Sequence, residues 1–249
     1  MALPTLGVQL IVFGGKYNIN TDTDAILDSI VRAGFAAVEG GASDAALYKQ
    51  KLDERGLLFG GSHTGLAALE DITPLVSYLN TVKANDLCIS GLRKWDGVDK
   101  DDYQHGISVL NEAGRKLRDL GIHLHYHNHA FEFDKIDGDK RGIDLLIDGL
   151  NYDVVDLCVD VAWVMRGGDN PAAFLKKHKD IIGYLHFKDF DGTDWAELGK
   201  GNVNFHEIMA VLPEMTKVRW VMAEQDQPKI DPMESIAISR AYLKDTFGY

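Results

Sequence analysis

Residues 123–133 read HLHYHNHAFEF: His123, His125, His127 and His129 stand at every second position, and Glu132 sits between two phenylalanines. Four of the chain's nine histidines fall in the first seven of these residues, 123–129. Side chains two apart in an extended segment share a face, so the run offers a row of imidazoles. Such a row can bind a transition metal or exchange protons near neutral pH. It can equally fill a hydrogen-bonded core. Three later segments mix the same residue types: CVDVAW with Asp160, LHFKDF with His186, Lys188 and Asp189, and MAEQD with Glu224 and Asp226. Carboxylate and imidazole together suit Mn²⁺, Mg²⁺, Co²⁺ or Zn²⁺. The two cysteines, Cys88 and Cys158, lie in separate apolar runs without zinc-site spacing and read as small core residues in a reducing compartment.

The elements that must position these groups follow from an alternation of short apolar runs with longer amphipathic ones. The short runs are residues 6–12, 35–40, 57–64, 85–91, 122–129, 154–163, 181–189 and 218–226. Helix-start signals stand between several of them: Asp22 to Asp24, Ser43-Asp44, and Asp99 to Asp102. Gly34, Gly56 and Gly121 close the segments that follow. Strands separated by helices must pair in parallel, because each crossover returns the chain to the same end of the sheet. Eight such units in 249 residues, with no linker or low-complexity tract between them, predict an α/β fold: a single (β/α)8 TIM barrel occupying residues 1–249 as one domain. An open doubly wound sheet is the alternative, but no GxGxxG follows the first strand.

Barrel strands are buried on both faces and should be almost wholly apolar. The polar exceptions cluster at the C-terminal ends of six strands: Glu39, His63, His127 with His129, Asp160, His186 with Lys188, and Glu224 with Asp226. Those ends ring one mouth of the barrel, where active sites are built. Set farther from the mouth, His123 and His125 read as structural. His105, His178 and His206 read as solvated helix or loop residues, and Asp189 and Asp191 fit the turn-like DFDGTD.

Acidic residues outnumber basic ones, 38 to 26, for a formal charge of −12. That field repels phosphate backbones and anionic surfaces, so no nucleic acid and no membrane is expected as partner. No stretch is long and apolar enough to span a bilayer, and the N-terminus lacks a basic segment before its apolar run. The expected location is cytoplasmic.

With those residues in place, the chain resembles the xylose-isomerase-like TIM-barrel superfamily, the sugar phosphate isomerase/epimerase group. The likeness rests on YHNHAFEF (126–133), LCVDVAWVMRGGDNPAAFLKKH (157–178), LHFKDF (185–190), ELGKGNVNF (197–205) and MAEQDQPKIDPMES (222–235). It implies one catalytic divalent ion, manganese first, with Mg²⁺, Co²⁺ or Zn²⁺ as alternatives. Asp160, His186 and Glu224 carry over as ligands. The family's glutamate after strand five is replaced here by His127, and Glu132, the nearest carboxylate, is the expected fourth ligand. The two-glutamate proton exchange of the epimerases is therefore altered, and the histidine-rich members that this chain resembles look like keto-sugar or keto-inositol dehydratases and lyases. The expected activity is proton abstraction beside a carbonyl with β-elimination, on a keto-sugar, keto-glycoside or keto-polyol. Metal-dependent isomerisation or epimerisation through the same enolate is the alternative. His127, His129, Lys188 and Glu224 are the expected catalytic groups. Glu39, His63, Trp163, Arg166 and Asp226 are the expected substrate contacts, with the Trp163 indole stacking on a sugar face and the Arg166 guanidinium binding oxygens. Gly199 and Gly201 would let the backbone approach a ligand or shape a turn. No strongly basic pocket is visible, which favours an unphosphorylated carbohydrate. An apurinic-endonuclease-like nuclease and a non-catalytic sugar-binding protein are the rival classes, and homo-oligomerisation is allowed.

Overall fold

The structure is a computed structural model and describes residues 3–249; Met1 and Ala2, the first residues of the expected domain, lie outside the described residues. Eight strands form one closed, all-parallel barrel: β1 (Thr5–Gln9), β2 (Ala37–Glu39), β3 (Leu58–Gly65), β4 (Asp86–Ser90), β5 (His123–His127), β6 (Val155–Asp160), β7 (Ile182–Phe187) and β8 (Trp220–Ala223). Each strand pairs with its sequence neighbours, and β1 closes the ring on β8 through Thr5 to Val8 against Trp220 to Ala223. The (β/α)8 expectation is met.

The surrounding helices are α1 (Thr23–Ala33), α2 (Ala45–Glu54), α3 (Thr73–Val82), α4 (Lys100–Asp119), α5 (Gly142–Gly149), α6 (Val161–Arg166), α7 (Pro171–His178), α8 (Phe205–Val211) and α9 (Pro232–Phe247). Their ends follow local chemistry. Asp44 caps α2 by accepting from the Leu47 amide, and Asp99 with Asp102 forms a capping box on α4. Gly34, Gly56 and Gly121 all take positive φ just past a helix, where a β-carbon would be strained.

Several predicted strands overran, the eighth among them, which ends at Ala223. The first apolar run stops being a strand at Gln9, whose side chain accepts from the Ile11 amide and turns Leu10–Phe13 into a 3₁₀ helix. The sixth ends at Asp160, because that carboxylate caps α6; Val161, Ala162 and Trp163 are helical. The fifth ends at His127, so His129 stands beyond the strand.

Alternation along the strands divides the buried residues into two sets. Leu87, Ile89, Leu124, Tyr126, Leu157, Val159, Leu185, Phe187 and Val221 belong to the large core shared with the helices. The opposite face carries Ala37, Cys88, Cys158, Tyr184 and Met222, a small separate cluster within the barrel. Polar residues lie on either side of that inner cluster. Toward the N-terminal end, Asp86 accepts from Arg219 (2.5 Å) and Trp220 (2.9 Å) and pairs with His125 Nε2 at 2.9 Å. Toward the C-terminal end lie the residues of the candidate site.

Candidate metal and substrate site

At the C-terminal mouth, one donor atom from each of His127, Asp160, His186 and Glu224 lies within 4.8 Å of every other. All four residues are buried. They come from the ends of β5, β6 and β7 and from the residue just past β8, so three successive crossovers deliver them to one point. His127 presents Nδ1 to Cys158 Sγ at 3.6 Å. His186 is held between two carboxylates: Nε2 meets Glu39 Oε2 at 2.8 Å, and Nδ1 makes a short contact with Glu224. Burial pushes the His186 pKa down, but the Glu39 charge, with Cys158 and Glu224, outweighs it and holds the ring well above the usual histidine range. For Asp160, burial pushes the pKa up to about 7 against the pull of Lys188.

This donor set fits a divalent cation. Asp160 Oδ1 is spent on the Ala162 and Trp163 amides, at 2.9 and 3.0 Å, while Oδ2 is buried without a hydrogen-bond partner. Buried carboxylate oxygens are costly unless a proton, donor or cation meets them. Two carboxylates and two imidazoles around that oxygen suit Mn²⁺, Co²⁺ or Zn²⁺. Asn128 fixes the spacing of β5 and β6, its Oδ1 accepting from the Asp160 amide at 3.1 Å.

Lys188 is fully buried beside the four donors, 3.0 Å from Glu224 and 2.6 Å from Asp226. Its ammonium also lies 4.2 Å from the Trp195 ring centroid and 5.0 Å from that of Trp163. Burial pushes its pKa down, but Glu224, Asp160 and Asp226 more than offset that, so it stays a cation. Burial pushes Asp226 up to about 6, despite Lys188.

A cavity of about 380 Å³ opens over this cluster. His63, His127, His129, Lys188, Glu224 and Asp226 form its polar wall, and Trp95 and Trp163 its aromatic one. Gln9, Thr64 and Ser90 add neutral hydrogen-bonding groups. His129 lies 5.1 Å, centroid to centroid, from both Trp95 and Trp163, and burial lowers its pKa to about 3, so the ring is neutral.

Three sequence expectations are corrected by where the side chains go. Glu132 is not brought to the cluster: its oxygens accept from the Tyr126 hydroxyl and the His129 amide, each at 2.8 Å. Burial raises its pKa to about 8, which suits a neutral carboxyl better than a ligand. His127 stands where a carboxylate was sought. Glu39 does not line the cavity; it reaches back to His63 Nδ1 at 2.7 Å and to His186. Arg166 is exposed and lies against the rings of Trp163, Phe190 and Trp195, outside the cavity wall.

Other residues were missed or under-read. Trp95 is 53% exposed at the cavity edge, in a turn after β4 where no candidate was expected. Gln9 is the other omission. Asp189, read as a turn residue, is buried and accepts from the amides of Phe190, Gly199, Gly201 and Val203 at 2.9–3.0 Å. A β-carbon at Gly201 would fall 2.2 Å from Asp189 Oδ1, so the paired glycines wrap a protein carboxylate.

Residues 27–246 match the family model described as xylose isomerase-like TIM barrel. Among curated proteins, the inosose dehydratase of Clostridium beijerinckii is 26% identical over 56% of this chain. That alignment spans 53% of the relative, about half its length. The inosose dehydratase of Bacillus licheniformis is 24% identical over 88% of this chain and 86% of its own. Among solved structures, a sugar phosphate isomerase/epimerase from Parabacteroides distasonis superposes with a TM-score of 0.83 at 21% identity, covering 98% of this chain and 94% of the other.

Proposed function

This chain belongs to the xylose isomerase-like TIM barrel family, and on that premise we propose that it is a divalent-metal-dependent lyase acting on an unphosphorylated keto-sugar, keto-glycoside or keto-polyol. The observation that carries this reading is the donor set itself: strand five contributes an imidazole, His127, to the His127–Asp160–His186–Glu224 cluster. A carboxylate base facing Glu224 from strand five, as two-sided proton exchange requires, has no counterpart, since Glu132 is bound to Tyr126 and the His129 amide. The names of the curated relatives, inosose dehydratases, agree with elimination of water.

His127, Asp160, His186 and Glu224 would hold the ion. When bound, it supplies Lewis-acid polarisation of a substrate oxygen and so favours charge development beside the carbonyl. The chain's own residues do the rest. Trp95 and Trp163 offer flat faces to a ring, and Gln9, Thr64 and Ser90 offer partners to hydroxyls. His129, an imidazole on the cavity wall, is placed to accept the α-proton. Asp226 delivers a proton to the departing β-oxygen, and Lys188 stabilises that oxygen by hydrogen bonding. One C–H and one C–O bond break, a C=C bond forms, and water or an alcohol leaves. Lys188 is the one Lys or Arg among the described lining residues, and two carboxylates already engage it, which disfavours a phosphate ester.

The test is incubation with keto-inositol, keto-sugars and keto-glycosides plus Mn²⁺ in ²H₂O, followed by NMR. An unsaturated product with released water or aglycone is expected. Clean conversion to an epimer or an aldose–ketose isomer would replace the lyase reading with the epimerase one.

A further inference from the structure

The inner cluster beneath the four-donor set has an unusual composition. Alternate layers of a barrel interior are normally filled by Val, Ile and Leu. Here Cys88 and Cys158 project inward from β4 and β6, both completely buried, beside Met222 and Tyr184. One donor atom from each of Cys88, Cys158 and His186 lies within 4.8 Å of the others. The Tyr184 hydroxyl is buried there without a hydrogen-bond partner. Met222 occupies room left by two glycines: a β-carbon at Gly7 would meet its sulfur at 2.5 Å, and one at Gly60 its methyl at 2.1 Å.

Thiolate and thioether sulfur are soft donors that select soft cations over Mg²⁺ or Mn²⁺. We propose that Cys88, Cys158 and a ring nitrogen of His186 form a second cation site, specific for a soft, thiophilic ion of the Cd²⁺ or Cu⁺ class. Binding forms two metal–sulfur bonds and one metal–nitrogen bond and releases to solvent both thiol protons and the extra proton of the His186 ring. The path in is short, because Cys158 Sγ lies 3.6 Å from His127, which lines the open cavity. His186 belongs to both donor sets, so the two sites compete for one ring. A soft ion below withdraws His186 from Asp160 and Glu224, and an ion above withdraws it from the thiols.

The probe is Cd²⁺ alone, titrated into the whole chain without substrate and followed by the thiolate-to-cadmium charge-transfer absorption in the ultraviolet. The band should saturate at one equivalent per chain, and excess Mn²⁺ should shift its midpoint to at least tenfold higher Cd²⁺. Cys88→Ala and Cys158→Ala should each remove half of the band or more, and the double variant all of it; Cys→Ser versions and circular dichroism control for folding. Uptake of Cd²⁺ by the unmodified chain with no sulfur band would overturn the site, as would a full band in the folded double variant. Substrate plays no part in this readout, so failure of the lyase reaction and failure of the soft-ion site are separately visible.

Discussion

Replacing Glu39 by glutamine separates two roles that the sequence alone leaves together. The carboxylate accepts from both His63 Nδ1 and His186 Nε2, one oxygen each, at 2.7 and 2.8 Å. Burial pushes its pKa up, but His186, with help from His63, brings it down to about 2, so it is ionised at every ordinary pH. Glutamine has one acceptor oxygen and must present an NH₂ to the other ring. If that ring is His186, Nε2 must become an acceptor and the proton must sit on Nδ1, the nitrogen that faces Glu224. That tautomer cannot ligate through Nδ1. No water can compensate, because Glu39 and His186 are fully buried. Losing such an orienting partner typically weakens metal affinity about 10- to 100-fold, or roughly 1.4–2.7 kcal/mol. Calorimetric titration of Mn²⁺ into Glu39→Gln should show this loss, with KM for the keto substrate little changed once metal is saturating. Unchanged metal affinity with a raised KM would refute the argument and return Glu39 to the substrate.

Glu132→Gln should leave Mn²⁺ affinity within about twofold, while costing about 1 kcal/mol in urea unfolding as one acceptor for Tyr126 or the His129 amide is lost; a tenfold loss of affinity would make it a ligand. Trp95→Ala, at an exposed ring on the cavity edge, should raise KM about threefold to tenfold through lost stacking and leave the unfolding midpoint unchanged. An unaltered KM would remove Trp95 from the substrate wall. Asp86→Asn should cost about 1.5–3 kcal/mol at pH 7, since Arg219, Trp220 and His125 all meet that carboxylate. Burial pushes the Asp86 pKa up, but His125 and Arg219 bring it net below 3.8. Its contribution is therefore present above the unfolded value and lost as pH falls through the lower folded one. The stability gap between parent and Asp86→Asn should be constant above pH 5 and shrink below about 3.8; a gap that grows on acidification would contradict this.

The barrel was legible because parallel strands buried on both faces leave long apolar runs, and because polar residues in such runs must have somewhere to go. Asp160, His186, Lys188 and Glu224 broke that pattern at strand ends, and the structure brings all four together. The reach of longer side chains was not legible. Glu39 turns inward to two imidazoles because β3 and β7 present both inside the eight-stranded barrel, a relation across 147 residues for the His186 contact. Glu132 stays away because the 3₁₀ turn Phe131–Phe133 aims it at Tyr126 and the His129 amide. Trp95 lies in a turn with no periodicity, and only its size hinted at a role. Asp189 looked like a loop residue because the four amides that hold it come mostly from ten or more residues downstream.

The ligand set of the divalent ion is the central claim, and pulsed electron paramagnetic resonance of Mn²⁺ bound to ¹⁵N-histidine-labelled protein tests it most directly. Two imidazole nitrogens should couple to one Mn²⁺ per chain, one from His127 and one from His186, with His127→Ala leaving a single coupling and Asp160→Asn weakening uptake. A parent spectrum with only one coupled nitrogen, or one that His127→Ala leaves unchanged, would contradict the account.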